Sequence, residues 1–262
     1  MSRKPDSAQH PVPQSRAVKL DARLHLFITL VSVFMVCLVL GDLIGGKLTS
    51  FQLFGREWVF SVGQLAFPVT FILTDILNEF YGRKVVRWIT YLAFVMVALS
   101  FAIIYVAGLL PWASFTLDPK WDFDGNVAPR TFHIVFTQAT RIQVASMIAF
   151  LIANLVDIWV FFLVKKITGN RWLWLRSTGS TAVSQLIDTF VISGVIWWSK
   201  VGFDTYLIIV LTSYVIKLAV AIGVTPVIYA LHDLIEKRYG IEPAPPEVAS
   251  ADIAGPSTPE SR

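Results

Sequence analysis

The chain has 262 residues, 55% of them hydrophobic and only 15% charged, with a mean hydropathy of +0.63. A water-soluble domain carries about a quarter charged residues, so this composition belongs in a membrane. One cysteine, Cys37, excludes a disulfide-stapled secreted scaffold, and the net charge of +4 resides in short connecting segments rather than in a patch for nucleic acid.

In chain order, residues 1–23 are polar, contain three prolines and are expected to be a disordered N-terminal tail. Six apolar stretches follow, each near the roughly 20 residues a helix needs to cross a bilayer. They are Leu24 to Ile44, Trp58 to Glu79, Trp88 to Pro111, Ile142 to Val164, Ser177 to Trp198 and Thr205 to Leu231. The first has basic residues ahead of it like a signal peptide, but it runs into Gly-Asp-Leu-Ile-Gly-Gly-Lys and five further spans, and it is read as retained. Continuous apolar runs exclude the alternating ten-residue strands of a barrel. Between spans three and four, the 112–141 segment carries Trp112, Phe115, Trp121, Phe123, Phe132 and Phe136, and reads as an interfacial anchor. Residues 233–262 are Pro-rich and read as a second disordered tail.

Lysine and arginine set the orientation. The N-terminal tail holds five, residues 80–87 three, residues 165–176 four and the C-terminal tail three, fifteen in all against six in the opposite segments. Both termini are therefore expected in the cytoplasm. The fold class is an all-α integral membrane protein of six transmembrane helices, with residues 24–232 as one transporter-like domain.

An ionisable group near the bilayer centre costs about 2.5–3.5 kcal/mol, so each one needs a partner, a wet cavity or a neutral form. Asp75 and Glu79 fall in span two, Asp157 in span four, Asp188 in span five and Lys217 in span six, while Asp42 and Lys47 flank the end of span one. Asp75, Asn78 and Glu79 share one helix edge. Asn154 with Asp157, and Gln185 with Asp188, are two copies of an amide followed three residues later by a carboxylate. At 1.5 Å per residue Asp157 lies roughly 10 Å deep, Gln185 roughly 12 Å, and Asn154 and Asp188 roughly 15 Å. Two such pairs at similar depth on antiparallel spans predict a polar cavity between helices and suggest inverted pseudo-symmetry. Amides alone would serve to hold helices together; several carboxylates and a lysine exceed that need. Pro68 is expected to kink span two, and Gly223 with Pro226 to interrupt span six.

Carboxylates accept paired hydrogen bonds, amides donate and accept, and aromatic rings stack on flat faces. A purine-like base fits that set; an amine cation or a coupling proton fits the carboxylates equally.

The stretches FPVTFILTDILNEFYGRKVVR (67–87), ASMIAFLIANLVD (145–157), WLRSTGSTAVSQLIDT (174–189) and YVIKLAVAIGVTPVIY (214–229) resemble the queuosine precursor transporter family, also called the vitamin uptake transporter family. The resemblance covers about residues 58–232 and is specific, because four motifs occur in order. It implies a bacterial inner-membrane protein of six helices that imports 7-deazaguanine precursors of the tRNA base queuosine, such as 7-cyano-7-deazaguanine and its aminomethyl analogue. Asp75, Asn78, Glu79, Arg141, Gln185, Asp188 and Lys217 fall on family motif positions, whereas Asn154 stands where the family carries Gln. The adjacent N1-H and amine donors of a guanine edge suit Asp188 or Glu79, and Gln185, Asn154 or Lys217 suit its carbonyl. Phe71, Phe190, Trp197 or Tyr214 would stack on the ring.

Two other readings compete. A substrate-capturing subunit of an energy-coupling-factor importer would dock on an ATPase module, and the chain has no phosphate-binding loop of its own. An intramembrane aspartyl enzyme would pair Asp157 with Asp188, but lacks a Gly-x-Gly-Asp element. No cofactor or metal is expected; the four histidines are scattered. Six helices are few for a carrier built from two repeats, so a homodimer is expected.

Overall fold

The computed structural model describes residues 21–45, 47–53, 55–114, 127–137, 140–169 and 171–245. Both predicted tails fall largely outside these residues, as do Phe115, Trp121 and Phe123 of the aromatic connection. Helices α1 (Ala22–Ile44), α3 (Arg83–Leu109), α5 (Thr140–Thr168), α6 (Leu173–Trp197) and α7 (Phe203–Tyr239) are the long apolar ones. Five described helices are thus long and apolar enough to cross a membrane. Between them lie an antiparallel hairpin, β1 (Leu48–Leu53) and β2 (Arg56–Ser61), the 15-residue helix α2 (Phe67–Tyr81) and the short helix α4 (Val127–Phe132).

The second predicted span is therefore corrected. Trp58 to Glu79 is not one helix but strand β2, a 3-10 turn over Val62–Ala66, and α2. At 1.5 Å per residue α2 is about 22 Å long, short of a hydrocarbon core of about 30 Å. The cause is local. Two runs rich in aromatic and β-branched residues flank Gly55, whose φ of +71° closes a tight turn, and Phe51 stacks on its cross-strand partner Trp58 at 6.5 Å. Pro68 then sits in the first turn of α2, where its missing N–H costs nothing, and starts that helix instead of kinking a longer one.

Span six also departs from expectation. Helix α7 runs through Gly223 and Pro226 without a break and continues past the predicted end to Tyr239. Ile241 then tucks into the core beside Phe80, Leu173 and Ile235, so the first part of the predicted C-terminal tail is packed structure.

Around α2 the bundle is turned inside out relative to a soluble protein. Along α3, Val86, Ile89, Thr90, Ala93 and Val97 are buried while Trp88, Tyr91, Val95, Leu99 and Ile103 are exposed, so the outward stripe is itself apolar. Such a surface suits lipid, not water. Polar residues have moved inward: Asn78 and Glu79 are completely buried at the end of α2, between the equally buried Leu77 and Phe80. Both ends of the described chain gather there. The Arg23 guanidinium donates to Phe80 O at 2.9 Å, Tyr81 donates back to Arg23 O, and the Ala244 amide donates to Glu79 O at 2.8 Å.

Candidate functional site

A cavity of about 370 Å³ opens between α1, α2, α5, α6 and α7, within the size range of small-molecule sites. Asn154 and Asp157 reach it from α5, Gln185 and Asp188 from α6, Lys217 from α7 and Phe71 from α2. Both predicted amide–carboxylate pairs therefore converge on one space. Regular helices explain this, since residues three apart face the same way and two such faces were turned inward to escape lipid.

Asp188 and Lys217 form the charged centre. Their Oδ2 and Nζ lie 2.5 Å apart and both side chains are more than nine-tenths buried. The Lys217 ammonium also stands 5.0 Å from the ring centre of Phe67, which adds a cation–π contact. Asp157 accepts from Ser184 at 3.1 Å. The Oε1 atoms of Gln64 and Gln185, both cavity-lining residues, are buried without a hydrogen-bond partner among the described residues. Trp197 supplies an aromatic face near the rim, where exposed Lys200 joins the wall. Sequence reasoning named neither Gln64 nor the Asp42–Ser146 pair, joined at 2.7 Å across the cavity, as site residues. Gln64 lies on the 3-10 turn hidden inside the span predicted as helix, while Asp42 was legible as an acid at the end of an apolar run.

Other predicted site residues lie elsewhere. Glu79 is on the far side of the bundle, gripped by both prongs of Arg176 at 2.7 and 2.9 Å and by Lys165 at 3.2 Å, with His232 Nε2 3.9 Å away. Its acceptor capacity is spent on these bases, and it does not line the cavity. Asp75 and Asn78 are buried behind the cavity wall, with Ser177 donating to Asp75. Tyr214 donates to Ala182 O at 3.1 Å, and Phe190 packs edge-on against Tyr206; neither lines the cavity. The Arg141 side chain lies outside the described residues. In the aromatic connection, Trp112, Phe132 and Phe136 form a chain of ring contacts at 6.3 and 4.9 Å.

An apolar exterior, helices long enough to span a membrane and a walled cavity holding a buried ion pair define a multi-pass membrane protein of the transporter class. A family model described as "Putative vitamin uptake transporter" matches residues 61–231, and the chain belongs to that family. It is 31% identical over 177 residues to the "Probable queuosine precursor transporter" of Bacillus subtilis, covering 67% of this chain and 72% of that one. It is 26% identical over 157 residues to the "Probable queuosine precursor transporter" of Haemophilus influenzae, covering 55% and 60%. Against the "Queuosine precursor transporter" of Escherichia coli the identity is 26% over 163 residues, covering 61% and 66%, so the chain spans less than two thirds of these last two relatives. No solved structure matches the chain.

Proposed function

We propose that this protein imports 7-deazaguanine precursors of queuosine, such as 7-cyano-7-deazaguanine and its aminomethyl analogue, across the bacterial inner membrane for tRNA queuosine salvage. The observation that carries the reading is the cavity of about 370 Å³ that presents Asp188, Lys217, Gln185 and Asn154 together, in a chain of this family. In the proposed complex the base's N1-H and exocyclic amine donate to Asp188, and its carbonyl accepts from Lys217, whose ammonium exchanges part of the ion pair for it. Phe71 or Trp197 stacks on the ring. The hairpin end of the cavity, with Lys200, faces outward, and the end with Arg23 and Ala244 faces the cytoplasm, following the predominance of basic residues there. The α2 segment with its hairpin completes the sixth passage, and a homodimer is the working unit.

The test is queuosine in tRNA from a strain that cannot make the base and depends on supplied precursor. Restoration by this gene, and its loss in Asp188→Ala cells at normal protein level, is the expected result. Undiminished uptake by that variant removes Asp188 from the site, and no restoration by the unaltered protein overturns the reading.

A further inference from the structure

Two buried carboxylates have no ion-pair partner among the described residues. Glu79 has Arg176 and Lys165, and Asp188 has Lys217, but none of the ion pairs among the described residues includes Asp75 or Asp157. Asp75 is 2% exposed, its Oδ1 has no hydrogen-bond partner, and Asn78 one turn on is fully buried with both amide atoms unpartnered among the described residues. A full charge held there without compensation costs several kcal/mol.

Helix α6 joins these two acids. Ser177, Ser180, Thr181 and Ser184 fall on one buried face over about 10 Å of helix. Ser184 donates to Asp157, Ser177 donates to Asp75, and Ser180, between them, donates to Ser177 O. Asp157, Thr181 and Ser184 line the cavity, whereas Ser177, Ser180 and Asp75 do not, so the hydroxyls lead from the cavity wall into the closed interior. Beyond Asp75, one turn along α2, come Glu79 and then His232 and the half-exposed Glu236 of α7, at 3.9 and 3.8 Å steps.

We propose that Asp157 and Asp75, linked by the hydroxyl face of α6, are a proton-binding site that couples base uptake to the proton gradient. This deepens the transport reading and rests on it. One proton from the outer side binds Asp157, crosses to Asp75 as the α6 hydroxyls turn from their resting acceptors and each passes one on while accepting one, and leaves Asp75 toward the cytoplasmic end of the bundle. With a neutral base, one positive charge enters per turnover. Among the described residues no three His, Cys, Asp or Glu side chains gather as ligands for a transition metal. Asp42 from α1, Asp188 from α6 and Lys217 from α7 share the cavity wall with Asp157, and Glu79, with Lys165 from α5, Arg176 from α6 and His232 from α7 around it, lies one turn along α2 from Asp75.

The experiment uses right-side-out membrane vesicles and labelled 7-cyano-7-deazaguanine. An outside-acid step of one pH unit should sustain about tenfold accumulation at one proton per base. Addition of substrate to de-energised vesicles should make a weakly buffered medium more alkaline. Asp75→Asn should lose both responses but still exchange labelled for unlabelled base, and Ser177→Ala, which keeps both acids, should slow accumulation more than exchange. Accumulation driven by a sodium gradient and indifferent to pH overturns the proposal, as does full accumulation by Asp75→Asn. If the unaltered protein exchanges no base at all, the transport reading fails first, which is a separate result.

Discussion

The Glu79 carboxylate and the Arg176 guanidinium, 97 residues apart in sequence, meet in a two-pronged pair at the buried end of α2. The remaining Arg176 nitrogen donates to Gly169 O and Arg171 O, so one side chain ties the α5–α6 connection to α2. Arg176→Ala leaves Glu79 with fewer compensating charges in a dry setting, at a cost of about 3–5 kcal/mol. Arg176→Lys offers a point charge in place of a fork and should recover only part of that. Thermal unfolding in mild detergent should rank the unaltered protein above Arg176→Lys above Arg176→Ala; equal melting of all three would show that the pair does not hold the bundle together.

Asp188 and Lys217 pose a different question, because their pair lies in the cavity. Lys217→Met alone strands Asp188 and should lower stability by about 3–5 kcal/mol. Asp188→Asn with Lys217→Met removes both charges and should regain most of it, since apolar or neutral replacement of a buried pair is often close to harmless. Uptake should be lost in all of these variants. Transport recovered in the double variant would mean that the pair is structural, and that the base is read elsewhere.

The sequence showed where charge lies in the bundle but not who neutralises it. Asn154, Asp157, Gln185, Asp188 and Lys217 were legible because period and depth are local properties, and all five line one cavity. Glu79 shares a helix face with Asp75, yet its fate depends on Arg176 and Lys165, two residues that counted only as loop cations when the chain was read linearly. The hairpin was missed for a related reason: hydropathy runs smoothly from Trp58 onward, and only Gly55 between two strand-like runs signals the turn.

Close backbone contact fixes that hairpin to α1. A methyl group added to Gly63 would stand 2.3 Å from Gly41 O and 2.9 Å from Gly45 Cα, and neither atom has a flexible end to move. Gly63→Ala should therefore push the 3-10 turn away from α1 at a cost of about 1–3 kcal/mol or more. Gly179→Ala, where an added methyl meets nothing within 4 Å, is the control and should melt like the unaltered protein. Equal melting of both variants would show that the approach of Gly63 to Gly41 is not tight in the membrane.

Gln185 separates binding from folding most cleanly. Its Oε1 is buried at the cavity wall with no partner among the described residues, so the protein gains nothing from that acceptor and bears the cost of keeping it dry. Gln185→Leu should accordingly leave thermal stability unchanged or slightly raised. If a bound base supplies the missing donor, the same variant loses a hydrogen bond of about 1–1.5 kcal/mol, which raises the half-saturating substrate concentration roughly tenfold. Gln185→Glu keeps an acceptor at the same place but adds charge, so it should retain binding better than Leu while melting lower. Initial uptake rates over a range of precursor concentrations, beside melting curves for the same preparations, decide it: a stable Gln185→Leu with unaltered half-saturation would show that this amide does not touch the base.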